Sequence, residues 1–160
     1  MDIQNKSILA KLLAAENVTL KHRNVPTASF DLKSRTLTLP IWEEMSVDLY
    51  DLFIGHEVGH ALFTPMMGWH DNVMEYGPAF KSFLNVIEDA RIERKIKSKF
   101  PGLVRSFHRG YSELFEKDFF GVTQRDISTL GLIDRINLHF KIGGLLGVPF
   151  SETEQQYIPR

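Results

Sequence analysis

Five consecutive residues carry the strongest chemical signal in the sequence: His56-Glu57-Val58-Gly59-His60, the pattern His-Glu-x-x-His. On a helix, residues four apart are offset by about 40° and rise about 6 Å, so both imidazoles project from one face and can share a metal ion. Neutral imidazole is a good zinc ligand. Glu57 stands beside a ligand, where it can take a proton from a metal-bound water that zinc has made acidic. We therefore predict one zinc ion held by His56 and His60, with Glu57 as the general base.

A catalytic zinc ion usually has three protein ligands, so one is needed beyond the two histidines. The next predicted long helix carries two carboxylates, Glu88 and Asp89, on one arc of about 100°. Ile92 and Ile96 share that arc and mark it as buried, and a buried carboxylate needs a cation such as zinc. We predict Glu88 as the third ligand and Asp89 as the residue that orients a ligand histidine, although the two could be exchanged. Asn85, on the same arc, is a further supporting residue or alternative ligand.

Other polar residues could also contribute to the site. His70 and Asp71 follow soon after the motif and could supply a zinc ligand instead of the second helix. A hydrogen bond to the developing oxyanion could come from Tyr76, His108 or Tyr111. Each of these three is also explained by an ordinary packing or surface role.

Structural roles compete with the metal interpretation. Two buried histidines could simply hydrogen-bond to backbone, but enclosing Glu57 with them on an apolar helix is costly unless something coordinates the group. The two carboxylates of the second helix could be solvated, or paired with Arg91 and Arg94.

The hydrophobic period changes along the chain and separates strands from helices. Alternation predicts three short early strands, the last two forming a hairpin, and a period near 3.6 predicts helices elsewhere. Ser46 can cap the helix that carries the motif, and Asp126 a later one. The predicted strands cover 18–23, 28–31 and 35–39; the predicted helices cover 3–15, 46–63, 78–99, 103–117 and 126–142, with a loop over 64–77 and a further helix beginning at the capping box 151–154. This order predicts an α+β domain: a small antiparallel or mixed sheet, then the active-site helix and several further helices.

Composition excludes several classes of protein. The 160 residues are 43% hydrophobic and 24% charged, as in a globular domain. Twenty acidic against 19 basic residues give a net charge of -1, which argues against a nucleic-acid partner. Without cysteine there is no disulfide and no thiolate zinc ligand. No apolar stretch is long enough to span a membrane and no secretory signal is recognisable, which predicts a cytoplasmic protein with no membrane partner.

The motif and a glutamate on a second helix resemble the zincin metallopeptidases, in the arrangement of the gluzincins. Here 27 residues separate His60 from Glu88, and the segment reads Asn-Val-Ile-Glu-Asp where that group has Asn-Glu-x-x-Ser-Asp. The metzincin continuation is absent, because Phe63 and Met66 stand in place of its Gly and His. The resemblance implies a zincin-like fold with a small sheet beside the active-site helix. An edge strand of that sheet, for which we predict 35–39, would hold an extended peptide.

A wider stretch, roughly residues 36–105, is similar to a narrower group. HEVGHALFTP followed by LNVIEDARIERKIKSKFPG resembles predicted metallopeptidase domains of large phage-encoded proteins that carry a C-terminal von Willebrand A-type domain. The run Glu-Asp-Ala-Arg-Ile-Glu is also similar to cobaltochelatase-associated subunits of that class. The resemblance implies a phage protein in the host cytoplasm. Residues 1–150 would form the metallopeptidase domain, and 151–160 would start a helix or linker to a further C-terminal region.

Together these observations predict a zinc metalloendopeptidase that hydrolyses peptide or protein substrates through a metal-activated water. The alternative is a catalytically silent, zinc-stabilised interaction module of a larger protein, such as one with a von Willebrand A-type domain. An open fourth position on the zinc ion separates the two, because structural zinc sites are closed by four protein ligands.

Overall fold

A computed structural model describes residues 9–10, 13–15, 17–65 and 69–158, with only the backbone described over 69–74. The predicted helix over 3–15 therefore falls largely outside the described residues. The chain divides into two compact units, Met1–Gly110 and Tyr111–Arg160. The architecture is α+β, as predicted, and among the described residues no helix has the length and apolar character needed to cross a membrane.

A three-stranded mixed sheet forms early in the first unit. The strands are β1 (Thr19–Arg23), β2 (Ser29–Asp31) and β3 (Thr36–Pro40), in the order β1-β3-β2. The predicted hairpin is confirmed, because β2 pairs antiparallel with β3. Its turn is held by the Asp31 carboxylate, whose Oδ1 accepts from the backbone N–H groups of Lys33 at 2.8 Å and Ser34 at 2.9 Å.

The prediction that residues 35–39 form an edge strand is wrong. β1 pairs in parallel with β3, from Thr19 opposite Thr36 to Arg23 opposite Pro40, and so occupies the side of β3 that β2 leaves open. β3 is therefore central, and Leu37 and Leu39 on it are fully buried. Within this sheet the edges are β1 and β2.

The helix that carries the motif, α1 (Val47–Phe63), begins and ends as predicted. Ser46 caps it by accepting a hydrogen bond from the backbone N–H of Leu49 at 3.0 Å, and the chain leaves the helix at Thr64. Apolar residues on several faces bury it on almost all sides, with Leu49 and Ile54 completely inaccessible.

The second helix, α2 (Trp69–Lys99), is two helical segments separated at Gly77. Gly77 takes φ 82°, a value that strains residues with a side chain, and Pro78 then starts the long second segment. The predicted helix over 78–99 is confirmed, but the predicted loop over 64–77 is too long, because 69–76 are helical. Trp69, Val73 and Tyr76 have helical spacing, so a signal was present, but the segment covers only about two turns between Gly68 and Gly77.

Three further helices follow: α3 (Leu103–Glu116), α4 (Leu132–Ile142) and α5 (Glu152–Gln155). The single helix predicted over 126–142 is wrong, because Asp126 caps only a short 3₁₀ turn and Gly131 then starts α4. The capping box predicted at the start of α5 is present.

Glycine lets a large side chain of α3 pack directly on α1. A Cβ added at Gly55 would lie 2.7 Å from Cε2 of Phe107 and 3.2 Å from Cδ1 of Leu103, both of which are buried. Real Cβ atoms do not approach so closely, so the ring would have to move.

We expect Gly55→Ala to destabilise the protein. Overpacking a filled core costs about 1–3 kcal/mol, and the higher helix propensity of alanine offsets about 0.5–1 kcal/mol, so the free energy of unfolding should fall by about 1 kcal/mol. Chemical denaturation followed by circular dichroism measures this difference. Gly102→Ala is the control, because a Cβ added there would meet no atom within 4 Å beyond its chain neighbours; equal stability of the two variants would contradict the packing argument.

In the second unit, Arg135 ties α4 to the segment that ends in α5. Its guanidinium donates to the backbone oxygens of Leu130 at 3.0 Å and Pro149 at 2.8 Å and to both carboxylate oxygens of Glu154. Hydrogen bonds from Arg135 and from the backbone N–H of Ser151 lower the pKa of Glu154 to about 2, from an ordinary value of 4.5.

This pair predicts how acid acts on stability. A carboxylate with a lowered pKa stabilises the fold above its unfolded pKa, and the contribution is lost as pH falls through the folded pKa. The parent should therefore exceed Glu154→Gln in urea midpoint by a constant amount above about pH 5, and the difference should shrink between pH 4.5 and about 2. Glu152→Gln, an exposed change in the same helix, is the control. A difference that does not vary with pH would show that the carboxylate charge is not responsible.

Candidate metal centre

The two histidines of the motif lie side by side on α1. His56 and His60 are four residues apart, and their ring centroids are 4.9 Å apart at an interplanar angle of 75°. About 15% of the His56 side chain and 20% of the His60 side chain remain exposed. The helical spacing predicted from the sequence therefore brings both imidazoles to one partly accessible place.

Asp89 of α2 joins the two histidines, and among the described residues these three form what we call the converging group. Its Oδ1 lies 3.2 Å from Nε2 of His60 and 3.6 Å from Nε2 of His56. One ligand atom from each of the three residues lies within 4.8 Å of the other two, so the group could hold a single metal ion. Two imidazole nitrogens and one carboxylate oxygen form a donor set that suits zinc and related divalent transition metals.

Asp89, and not Glu88, is the carboxylate that converges with the two histidines, whereas Glu88 was the predicted third ligand. Glu88 is buried but does not belong to the converging group; its carboxylate accepts from Oγ1 of Thr64 at 2.6 Å and from Nε and Nη2 of Arg91, each at 2.7 Å. Consecutive helical residues point about 100° apart, and Asp89 is the one that faces the histidines of α1. For Glu88 the structure therefore shows the ion pair with Arg91, which the sequence offered as the alternative to metal binding.

The surroundings of Glu88 favour its charged form. Burial alone would raise the pKa of this carboxyl group, but the hydrogen bonds from Arg91 and Thr64 and the positive charge of Arg91 outweigh it. The pKa of Glu88 is therefore below its ordinary value.

Glu93, which the sequence pattern did not single out, supports the first histidine. Its Oε1 lies 3.0 Å from Nδ1 of His56, only 4% of the residue is exposed, and Lys97 approaches its other oxygen at 3.6 Å. A signal was available in the sequence: Glu93 follows Asp89 by four residues and so shares its helix face. A carboxylate on the outer nitrogen of a metal-binding histidine orients the ring and raises its basicity.

Negative charge dominates the environment of His56. Burial lowers the pKa of this imidazole. The hydrogen bond to Glu93 and the charges of Glu57, Glu93 and Asp89 raise it by more, so the net pKa lies above the ordinary value. A site that favours a proton on His56 also favours a metal cation in its place.

Glu57, the predicted general base, follows His56 on α1 and is buried, with 7% of the residue exposed. Its charge acts on His56, as the pKa of that imidazole shows. Whereas Nδ1 of His56 contacts Glu93, Nδ1 of His60 contacts Thr64, at 2.9 Å from its Oγ1.

The three residues predicted as oxyanion donors have different surroundings. Tyr76 is 59% exposed and its ring contacts Phe80. His108 is exposed on α3, and Tyr111 belongs to the second unit, where its ring contacts Phe120.

The remaining candidate ligands have different outcomes. Asn85, predicted on the buried arc of its helix, is exposed on α2. The side chains of His70 and Asp71 lie outside the described part of the chain, so their predicted part in the site stays a prediction.

Comparison with protein-family models, with curated proteins and with solved structures finds no match to this chain. The function of this chain therefore has to be inferred from its motif, from the sequence resemblance of residues 36–105 and from the geometry of the residues around the motif.

We expect Asp89→Ala to weaken zinc binding by well over 100-fold, because it removes one of three ligands. Glu88→Ala should weaken it only about 10–100-fold, the usual effect of a residue that supports a ligand. Chelator competition measures both affinities, and Glu75→Ala, an exposed change on the same helix, is the control. Glu88→Ala proving the more damaging variant would make Glu88 the third ligand.

Proposed function

We propose that this domain is a zinc-dependent metallopeptidase of the zincin type, with one zinc ion held by His56, His60 and Asp89. The observation that carries the proposal is the convergence of Nε2 of both histidines on Oδ1 of Asp89, at 3.6 and 3.2 Å. Two helices meet to form this group, and one of them also carries the buried carboxylate of Glu57.

Three protein ligands favour a catalytic role over a structural one. Structural zinc sites usually have four protein ligands, whereas catalytic sites keep one position open. Within the described part of the chain the group has three members, and each side chain is 15–20% exposed, so solvent can reach it. This accessibility supports an enzyme over the silent, zinc-stabilised module.

A bound zinc ion would supply Lewis-acid chemistry, polarising a peptide carbonyl and making water more acidic at neutral pH. The chain itself supplies the rest. Glu57 accepts the proton of the attacking water and delivers it to the leaving amine. Glu93 orients His56 through its Nδ1, which leaves Nε2 directed toward Asp89.

An extended peptide would bind at a sheet edge beside α1. Since β3 is central, the position that we propose is β2, which is an edge strand and contacts α1. An edge strand offers unpaired backbone groups to an added strand, so such a site would select extended segments of a peptide or protein.

The wider resemblance supports a proposal about the full-length protein. We propose that a von Willebrand A-type domain follows this one and that the protein acts in the cytoplasm of a phage-infected host. The support is the similarity of residues 36–105 to phage-encoded proteins of that organisation.

We expect Glu57→Gln to retain zinc and lose hydrolysis by about 100-fold or more, because an amide cannot accept the proton of water. Zinc content by mass spectrometry and cleavage of a proteome-derived peptide library measure the two properties. Glu44→Gln, an exposed change before α1, is the control.

The outcomes of this experiment are distinct. Cleavage by Glu57→Gln at the parent rate would show that Glu57 is not the base. Zinc binding by parent and variant without cleavage by either would favour the silent module.

A further inference from the structure

A chain of hydrogen bonds runs from α2 to the second histidine of the motif. Arg91 donates to Glu88 through Nε and Nη2, each at 2.7 Å. Oγ1 of Thr64 lies 2.6 Å from Oε1 of Glu88, and Nδ1 of His60 lies 2.9 Å from the same Oγ1. Glu88, which does not join the metal ligands, is thus linked to one of them through a threonine hydroxyl.

The direction of each hydrogen bond follows from the groups involved. A guanidinium only donates, and the ionised carboxylate of Glu88 only accepts. Thr64 has one hydroxyl proton and must give it to Glu88, so its oxygen is left to accept from Nδ1 of His60. His60 therefore carries its proton on Nδ1, and Nε2 keeps its lone pair.

Nε2, the nitrogen of His60 that keeps its lone pair, is the one that faces the candidate metal position. Nε2 of His60 lies 3.2 Å from Oδ1 of Asp89, inside the converging group. In the other tautomer of a neutral imidazole, Nε2 carries a proton and cannot bind a metal ion. The orientation of one hydroxyl thus decides whether His60 is a ligand.

Arg91 also fixes the backbone at this end of α1. Its Nη2 donates to the carbonyl oxygen of Phe63 at 2.6 Å, and Nη1 of Arg35 donates to that of Ala61 at 3.1 Å. Thr64 ends the helix, with its N–H bonded to the carbonyl of His60 at 3.0 Å. The last turn of a helix frays most easily, so these contacts hold Thr64 where it can reach both partners.

We propose that Arg91, Glu88 and Thr64 are positioning residues that set the tautomer of His60 and so prepare Nε2 to bind the metal ion. The inference rests on the metal site of the proposed function but not on peptide hydrolysis. It makes Thr64 and Arg91, which touch no ligand atom of the converging group, determinants of metal affinity.

The test compares Thr64→Val, which removes the hydroxyl at nearly constant shape, with Thr64→Ser, which retains it. Two properties are measured on the whole chain: the tautomer of His60 by ¹⁵N NMR of the metal-free protein at pH 8.5, and zinc affinity by chelator competition. Thr64→Val should mix the two tautomers of His60 and weaken zinc binding about 10–100-fold. Thr64→Ser should return both to the parent values.

Further variants separate the hydroxyl from a general loss of structure. Glu88→Gln replaces the acceptor by an amide that can also donate, so it should shift the tautomer without changing the shape. Arg91→Met should weaken zinc binding, whereas Arg94→Met, an exposed change on the same helix, should not. Circular dichroism verifies that each variant is folded, and the ¹⁵N signals of His56 provide an internal control.

Each outcome supports the network or overturns it. An unchanged His60 tautomer in folded Thr64→Val, or a serine variant that fails to restore it, would overturn the proposal. A tautomer that follows the hydroxyl in a protein that binds no zinc would leave the network standing and overturn the metal site. Loss of hydrolysis alone bears on the proposed function and not on this inference.

Discussion

The close approach of α1 and α2 is the constraint on which the site depends. Gly59 lies between the two histidines, and a Cβ added to it would meet Cδ1 of Ile92 at 2.8 Å and the Ile92 carbonyl oxygen at 3.5 Å. Ile92 follows Asp89 by three residues, so this contact brings the carboxylate to the imidazoles. A larger residue at position 59 would push the helices apart and separate the third ligand from the other two.

Bringing these helices together concentrates negative charge in a partly buried place. Two carboxylates have cationic partners: Glu88 has Arg91, and Glu93 has Lys97 at 3.6 Å in addition to the ring of His56. Burial lowers the pKa of His56, but the hydrogen bond to Glu93 and the charges of the nearby carboxylates outweigh it and raise the pKa. A divalent cation would stabilise this arrangement further, because it replaces a proton by a larger positive charge.

Local rules predicted the parts of the site that lie on one element. The ends of α1 follow from Ser46 and from the threonine–proline pair after Phe63, and the histidine spacing follows from helix geometry. The choice between Glu88 and Asp89 could not be made in this way. Both lie within one arc, and the rotation of α2 about its axis is set by contacts such as that of Ile92 with Gly59.

Long-range pairing explains why the edge-strand prediction was wrong. β1 joins β3 in parallel, and no local pattern specifies which edge of a hairpin a preceding strand will occupy. The part played by Thr64 was hidden for the same reason: its role in ending the helix is local, but its hydrogen bond to Glu88 spans 24 residues. A residue that reads as a simple helix stop can therefore also act on the site.

The two histidines illustrate how position on a helix determines the support that a ligand needs. His56 lies in the interior of α1, where continuous backbone hydrogen bonds hold its turn, and a single carboxylate on Nδ1 suffices to orient it. His60 lies in the last turn, whose carbonyl oxygens lack helical partners. Side chains from outside the helix supply them, Arg91 at Phe63 and Arg35 at Ala61. Because Arg91 also binds the carboxylate that receives the threonine proton, the contact that ends α1 and the contact that orients its second ligand share one guanidinium.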